Sequence, residues 1–180
     1  MSFDELHERL MHLIVVRRDL TGFQHLHPQM DDEGTWRTSV SFPTAGAWRV
    51  FADHSTGGSP ATLGLDVLVG GDFEPEAPRE PQASVSIGED TVSIERIDGG
   101  GVRFSVDRGG EPVSPEPYLG ALGHLVILRW GDLSFLHVHP VAGELAFHVA
   151  YPGPGKYKLF LQYVVAGEIR TAEFTADVDS

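Results

Sequence analysis

Six of the nine histidines fall in one pattern that the chain carries twice: His12, His25, His27 and Pro28, then His124, His137, His139 and Pro140. Each counterpart lies 112 positions on (12 to 124, 25 to 137, 27 to 139), and the register needs no net gap. Residues i and i+2 of a strand face the same side, so His25 and His27 share a face, as do His137 and His139. A hairpin turning between Asp19 and Leu20 pairs positions that sum to 39, which sets His12 opposite His27 and Ile14 opposite His25. Cross-strand neighbours share a face with Cβ atoms about 5 Å apart, so three imidazoles converge on one patch. A slip of one residue would turn His12 to the other face. The same arithmetic with a sum of 263 sets His124 opposite His139.

Three neutral imidazoles suit a divalent transition metal, copper(II) or zinc first, with nickel and iron behind, and they leave a coordination position open. The chain has no cysteine, which excludes disulfides, thiolate metal sites and cysteine nucleophiles. His7, Asp53 and His54 are further candidates near the first set. His148, Gln162 and Tyr163 are those near the second, so the two sites are expected to differ in affinity. Of these, His7 and His148 join the ligand list. The same histidines admit another role, in which imidazoles bonded to backbone carbonyls stabilise an adhesion or scaffold module that binds no metal. A metalloenzyme would need a general base beside the patch, and Asp53 is the one candidate. No serine sits in a nucleophile elbow, no carboxylate pair stands out, and Gly99-Gly100-Gly101 lies between strands rather than before a helix. The expectation is a binding protein, not an enzyme.

The elements that must hold these residues read as strands throughout. Leu13 to Val16 is an apolar β-branched run with Phe23 to His27 as its partner, and Arg17-Arg18-Asp19 reads as a solvated hairpin end. Trp36 to Phe42, Trp48 to Ala52 and Leu63 to Val69 complete a first unit over residues 1–70. Residues 71–82, with Pro75, Pro78 and Pro81, read as a semi-extended linker. A second unit over 83–180 opens with Ala83 to Ile87, Thr91 to Arg96 and Val102 to Asp107. It continues through the repeated stretch to Glu144–Ala150, Tyr157–Tyr163 and Glu168–Val178. No segment shows a sustained helical period. The fold class is therefore all-β, two immunoglobulin-like sandwiches in tandem.

The duplication reaches beyond the histidines: Phe42-Pro43 through Phe51 matches Tyr151-Pro152 through Phe160, 109 positions on. Eleven residues precede His12, whereas 41 run from Ala83 to Gly123. The first sandwich thus lacks about two front strands, and a homodimer completing it by strand pairing is expected.

Charge narrows the partners. The 26 acidic against 13 basic residues give −13, which disfavours nucleic acid and suits a cation. No apolar run is long enough to insert in a membrane, and Met-Ser-Phe-Asp-Glu-Leu-His-Glu is too acidic for a signal peptide, which leaves a cytoplasmic location open.

The phrases His-Leu-Ile-Val-Val-Arg-Arg-Asp-Leu-Thr-Gly-Phe-Gln-His-Leu-His-Pro and Tyr-Leu-Gly-Ala-Leu-Gly-His-Leu-Val-Ile-Leu-Arg-Trp-Gly-Asp-Leu-Ser-Phe-Leu-His-Val-His-Pro resemble a group of bacterial, often actinobacterial, extracytoplasmic proteins. That group is described as heavy-metal-binding or copper-associated, with immunoglobulin-like domains. The resemblance implies a β-sandwich tandem handling copper or a similar ion outside the cytoplasm, with His12, His25, His27, His124, His137 and His139 as the matching positions. It also raises His7 as a fourth ligand.

Overall fold

The computed structural model describes residues 3–97, 100–136 and 138–179, with the backbone alone at His139. Every regular element among them is a strand, and the chain divides into two compact units, Met1–Ala77 and Pro78–Ser180.

The first unit contains β1 (His12–Arg17), β2 (Gln24–Leu26), β3 (Gln29–Met30), β4 (Trp36–Arg37), β5 (Gly46–Thr56) and β6 (Ser59–Val69). Four of these form one antiparallel sheet in the order β2-β1-β5-β6, and β3 pairs with β4 alone. The β-branched run Ile14-Val15-Val16 makes β1 the buried centre. The strand expected over Trp36 to Phe42 is only Trp36–Arg37. Beyond it the Gln24 side chain replaces a strand partner, donating from Nε2 to the Ser41 carbonyl (2.7 Å) and accepting from the Ser41 N–H (3.2 Å). Backbone groups satisfied by a side chain need no ladder.

The hairpin end is not wholly solvated, as its charges had implied. Arg17 and Asp19 are both buried and joined by two parallel hydrogen bonds (2.9 and 2.6 Å), while Arg18 reaches outward to Asp66. Burial raises the Asp19 carboxyl, but Arg17, the Glu76 N–H and Thr21 outweigh it and hold it below the ordinary range. The Glu76 N–H donates to Asp19 (2.9 Å) and the Phe73 ring lies 5.2 Å from the Arg17 guanidinium, so the Pro-rich segment is tied to this unit as far as Glu76.

The second unit contains β7 (Ser84–Ile87), β8 (Asp90–Ile97), β9 (Gly101–Arg108), β10 (Glu111–Pro112), β11 (His124–Arg129), β12 (Phe135–Leu136), β13 (His139–Pro140), β14 (Ala146–His148), β15 (Gly155–Val165) and β16 (Glu168–Val178). One sheet runs β13-β14-β9-β8-β7 with β10 added to β9; the other runs β12-β11-β15-β16. This crossing order is that of an immunoglobulin-like sandwich. Its core includes Val92, Phe104, Ile127, Leu159 and Phe174. At the start of β15 the buried Tyr157 hydroxyl donates to the Gly153 carbonyl (2.8 Å), the tyrosine corner of such folds. The first unit builds the same corner with an indole: Trp48 Nε1 donates to the Thr44 carbonyl (3.0 Å), 109 positions earlier.

The strands β1–β6 repeat β11–β16 in order, and among the described residues the first unit holds no counterpart of β7 to β10. Leu20 and Leu133, both buried, share a left-handed backbone (φ 58° each), which makes Asp19 and Asp132 equivalent. The apparently gapless register therefore conceals one insertion before this leucine and one deletion after it.

Candidate metal centre

The pairings Leu13↔Leu26, Ile14↔His25 and Val15↔Gln24 follow the sum of 39. His12 stands opposite Asp53 on β5, so Asp53 lies on the histidine face and His54 on the other. His12 is buried, while His25 and His27 are half-buried. The three offer ligand nitrogens that all lie within 4.8 Å of one another. Ring centroids are 5.1 Å apart for His12 and His25, 5.1 Å for His12 and His27, and 4.7 Å for His25 and His27.

The hydrogen bonds identify which nitrogen of His12 is the donor to a metal. Its Nε2 lies 3.0 Å from the Leu6 carbonyl, which only accepts, so Nε2 carries the proton and Nδ1 keeps the lone pair in the neutral ring. Nδ1 faces His25 Nε2 at 2.9 Å. Without metal, His25 donates this hydrogen bond; to ligate through Nε2, it must move its proton to Nδ1. A tetrahedral ion with bonds of about 2.0–2.1 Å holds its ligand nitrogens about 3.3 Å apart, so this pair would open by a few tenths of an ångström. The carbonyl that fixes the His12 ring acts as outer-shell partners of metal-binding histidines do.

The segment before β1 supplies that carbonyl. Leu6 and Arg9 exchange backbone hydrogen bonds (2.8 and 3.0 Å) across a turn with His7 and Glu8 left-handed (φ 48° and 59°). This turn brings the His7 ring to 6.0 Å from His12, and His7 lies outside the group of three. Asp4 anchors the segment by accepting from the Gly58 N–H (2.7 Å) and the Ser55 hydroxyl (2.8 Å), which hold its carboxyl below the ordinary range. The second unit repeats the device: Tyr118 and Ala121 form the turn, and His124 Nε2 donates to the Tyr118 carbonyl (2.9 Å). Neither carbonyl was singled out from sequence, although Leu6 and Tyr118 keep the same offset of 112 as the histidines.

In the second unit, Ile127↔Leu136 and Leu128↔Phe135 follow the sum of 263, and His124 stands opposite Gln162. The register stops there. After Leu136 the chain crosses to the other sheet, where His139 pairs with His148 on β14 rather than with His124. The expected His124–His139 pairing is thus corrected by a change of sheet. His137 lies outside the described residues, and His148 is exposed. Tyr163, one residue on from Gln162, points into the sandwich core.

Asp53, the candidate base, is buried and accepts a hydrogen bond from the Thr62 hydroxyl (2.7 Å).

Fold and site define a tandem immunoglobulin-like protein whose first unit gathers three imidazoles able to hold a metal ion. The chain belongs to the family described as a domain of unknown function (DUF8832), matched over residues 1–71 and 84–180. No curated protein matches it.

Proposed function

We propose that the first unit binds one divalent transition metal, copper(II) or zinc, through His12, His25 and His27, for buffering, storage or delivery rather than catalysis. The convergence of their ligand nitrogens within 4.8 Å carries this reading. The fixed tautomer of His12 supports it, since the nitrogen facing its neighbours is the one with the lone pair. The net charge of −13 favours cation approach. The open fourth position suits a ligand exchanged on transfer; His7, with its ring 6.0 Å from that of His12, and Asp53, opposite His12 in the ladder, are the protein candidates for it. In the second unit the counterparts do not share a sheet: His124 stands on β11, while His139 pairs with His148 on β14. A location outside the cytoplasm is part of the proposal, from the family resemblance.

One observation favours a second reading: both ring nitrogens of His12 already have hydrogen-bonding neighbours, as in a structural histidine of a scaffold module. Thermal unfolding of metal-free protein separates the two. At a hundredfold excess over the dissociation constant, a metal that binds only the folded state adds about 2.7 kcal/mol. Metal binding predicts a selective rise in melting temperature that His25→Ala/His27→Ala loses for the first unit. The scaffold reading predicts a lower melting temperature for that variant and no metal-dependent rise in either protein.

A further inference from the structure

We infer that two copies of the chain associate face to face through the side of the first unit's sheet that points away from the histidines. The registers Leu13↔Ala52 and Val15↔Val50 between β1 and β5, with Val50↔Leu65 and Ala52↔Leu63 between β5 and β6, gather these six apolar residues on one face. Leu63 and Leu65 are each 65% exposed there. Their counterparts 109 positions on, Ala172 and Phe174, are 0% and 1% exposed in the core of the second unit, which has a second sheet to bury them. Among the described residues the covering sheet of the first unit is reduced to β3-β4, the counterparts of β13-β14, so Val15 is buried while Leu63 and Leu65 on β6 stay uncovered.

The occupant follows from charge and shape. The carboxylates of β5 and β6, Asp53 and Asp66, lie on the opposite face, and the one charged residue on the β1 part of this face, Arg17, is paired with Asp19. On a chain of net charge −13, this is a face that a second copy can meet without burying unpaired charge. Two sheets stack about 10 Å apart when both inner faces are apolar. Among the described residues no other sheet face exposes two large apolar side chains side by side, so the complementary surface on a second copy is this same face. A two-fold axis through it yields a closed pair, each copy covering the other's Leu63 and Leu65.

The test is the mass of the full chain in solution, by light scattering and sedimentation with a chelator present, so that no shared metal carries the association. The expected result is twice the 19.6 kDa of one chain at tens of micromolar, falling toward 19.6 kDa on dilution. Leu63→Glu/Leu65→Glu should give a folded 19.6 kDa species, and the milder Leu63→Gln/Leu65→Thr should weaken association at least tenfold. Leu68→Glu, on the opposite face of β6 and 81% exposed, should leave the pair intact. A wild-type chain that stays at 19.6 kDa at the highest soluble concentration overturns the inference. So does a pair that survives both double substitutions, or one that Leu68→Glu dissociates as readily.

Discussion

Gly22 closes the hairpin that sets His25 across from Ile14, and an alanine there tests whether the packing beneath the hairpin holds the metal-binding register. Gly22 is left-handed (φ 67°), and an added Cβ would lie 2.8 Å from Trp48 Cζ3 and closer still to Cη2. Trp48 cannot swing aside: it is fully buried, and its Nε1 is bonded to the Thr44 carbonyl. The backbone strain costs about 1–2 kcal/mol, and overpacking a filled site adds about 1–3 kcal/mol. Gly34 is the control, because it is also left-handed (φ 81°) but has nothing within 4 Å of an added Cβ. Gly34→Ala should therefore lose only the strain. A unit of this size shifts by about 4–8 °C per kcal/mol, so Gly22→Ala should melt at least about 4 °C below Gly34→Ala. Tryptophan fluorescence can follow the first unit, since Trp36 and Trp48 belong to it. The metal-induced rise should also be smaller in Gly22→Ala. Equal melting temperatures for the two variants, with equal metal response, would show that the Gly22–Trp48 contact does not govern the hairpin.

Three further outcomes follow. Asp90, fully buried, accepts from Arg108 (2.8 Å) and Arg170 (2.5 Å), and the Arg108 hydrogen bond chiefly holds its carboxyl below the ordinary range. Asp90→Asn should cost at most about 3 kcal/mol, the low end for breaking a buried pair, because Arg108 is partly exposed and rehydrates. Since the folded value is depressed, this stabilisation is complete above the unfolded carboxyl value of about 3.9 and disappears as pH falls through the folded value; a difference from wild type that grows in acid would contradict the assignment. Tyr157→Phe should destabilise the second unit by about 1–3 kcal/mol through the stranded Gly153 carbonyl, measured by urea unfolding. His54→Ala should leave metal affinity at the first site within twofold in a calorimetric titration, because His54 points to the other face of the sheet; a larger loss would mean that the faces are misassigned.

Much of the first site was legible because period-two alternation and a symmetric hairpin fix a register from spacing alone. The sum of 39 holds at Leu13, Ile14 and Val15, and parity places Asp53 beside His12 while turning His54 away. The second site was less legible for a topological reason. Strand spacing carries no mark of where a chain leaves one sheet for the other, and the crossing after Leu136 takes His139 from His124 to His148. Nor does residue type reveal that Arg17 and Asp19 pair away from water, since the same letters suit a solvated turn. The Leu6 carbonyl escaped notice because backbone groups are invisible to motif reading. Only the repeat of its position at Tyr118 hinted at a role.

The most direct test of metal binding is elemental analysis of protein loaded with copper(II) or zinc and then dialysed, comparing wild type with His25→Ala/His27→Ala. Retention of metal by the wild type, with one ion fewer per chain in the variant, is the predicted result. Equal metal content in the two proteins, or none in the wild type, would contradict the assignment of His12, His25 and His27 as a metal site.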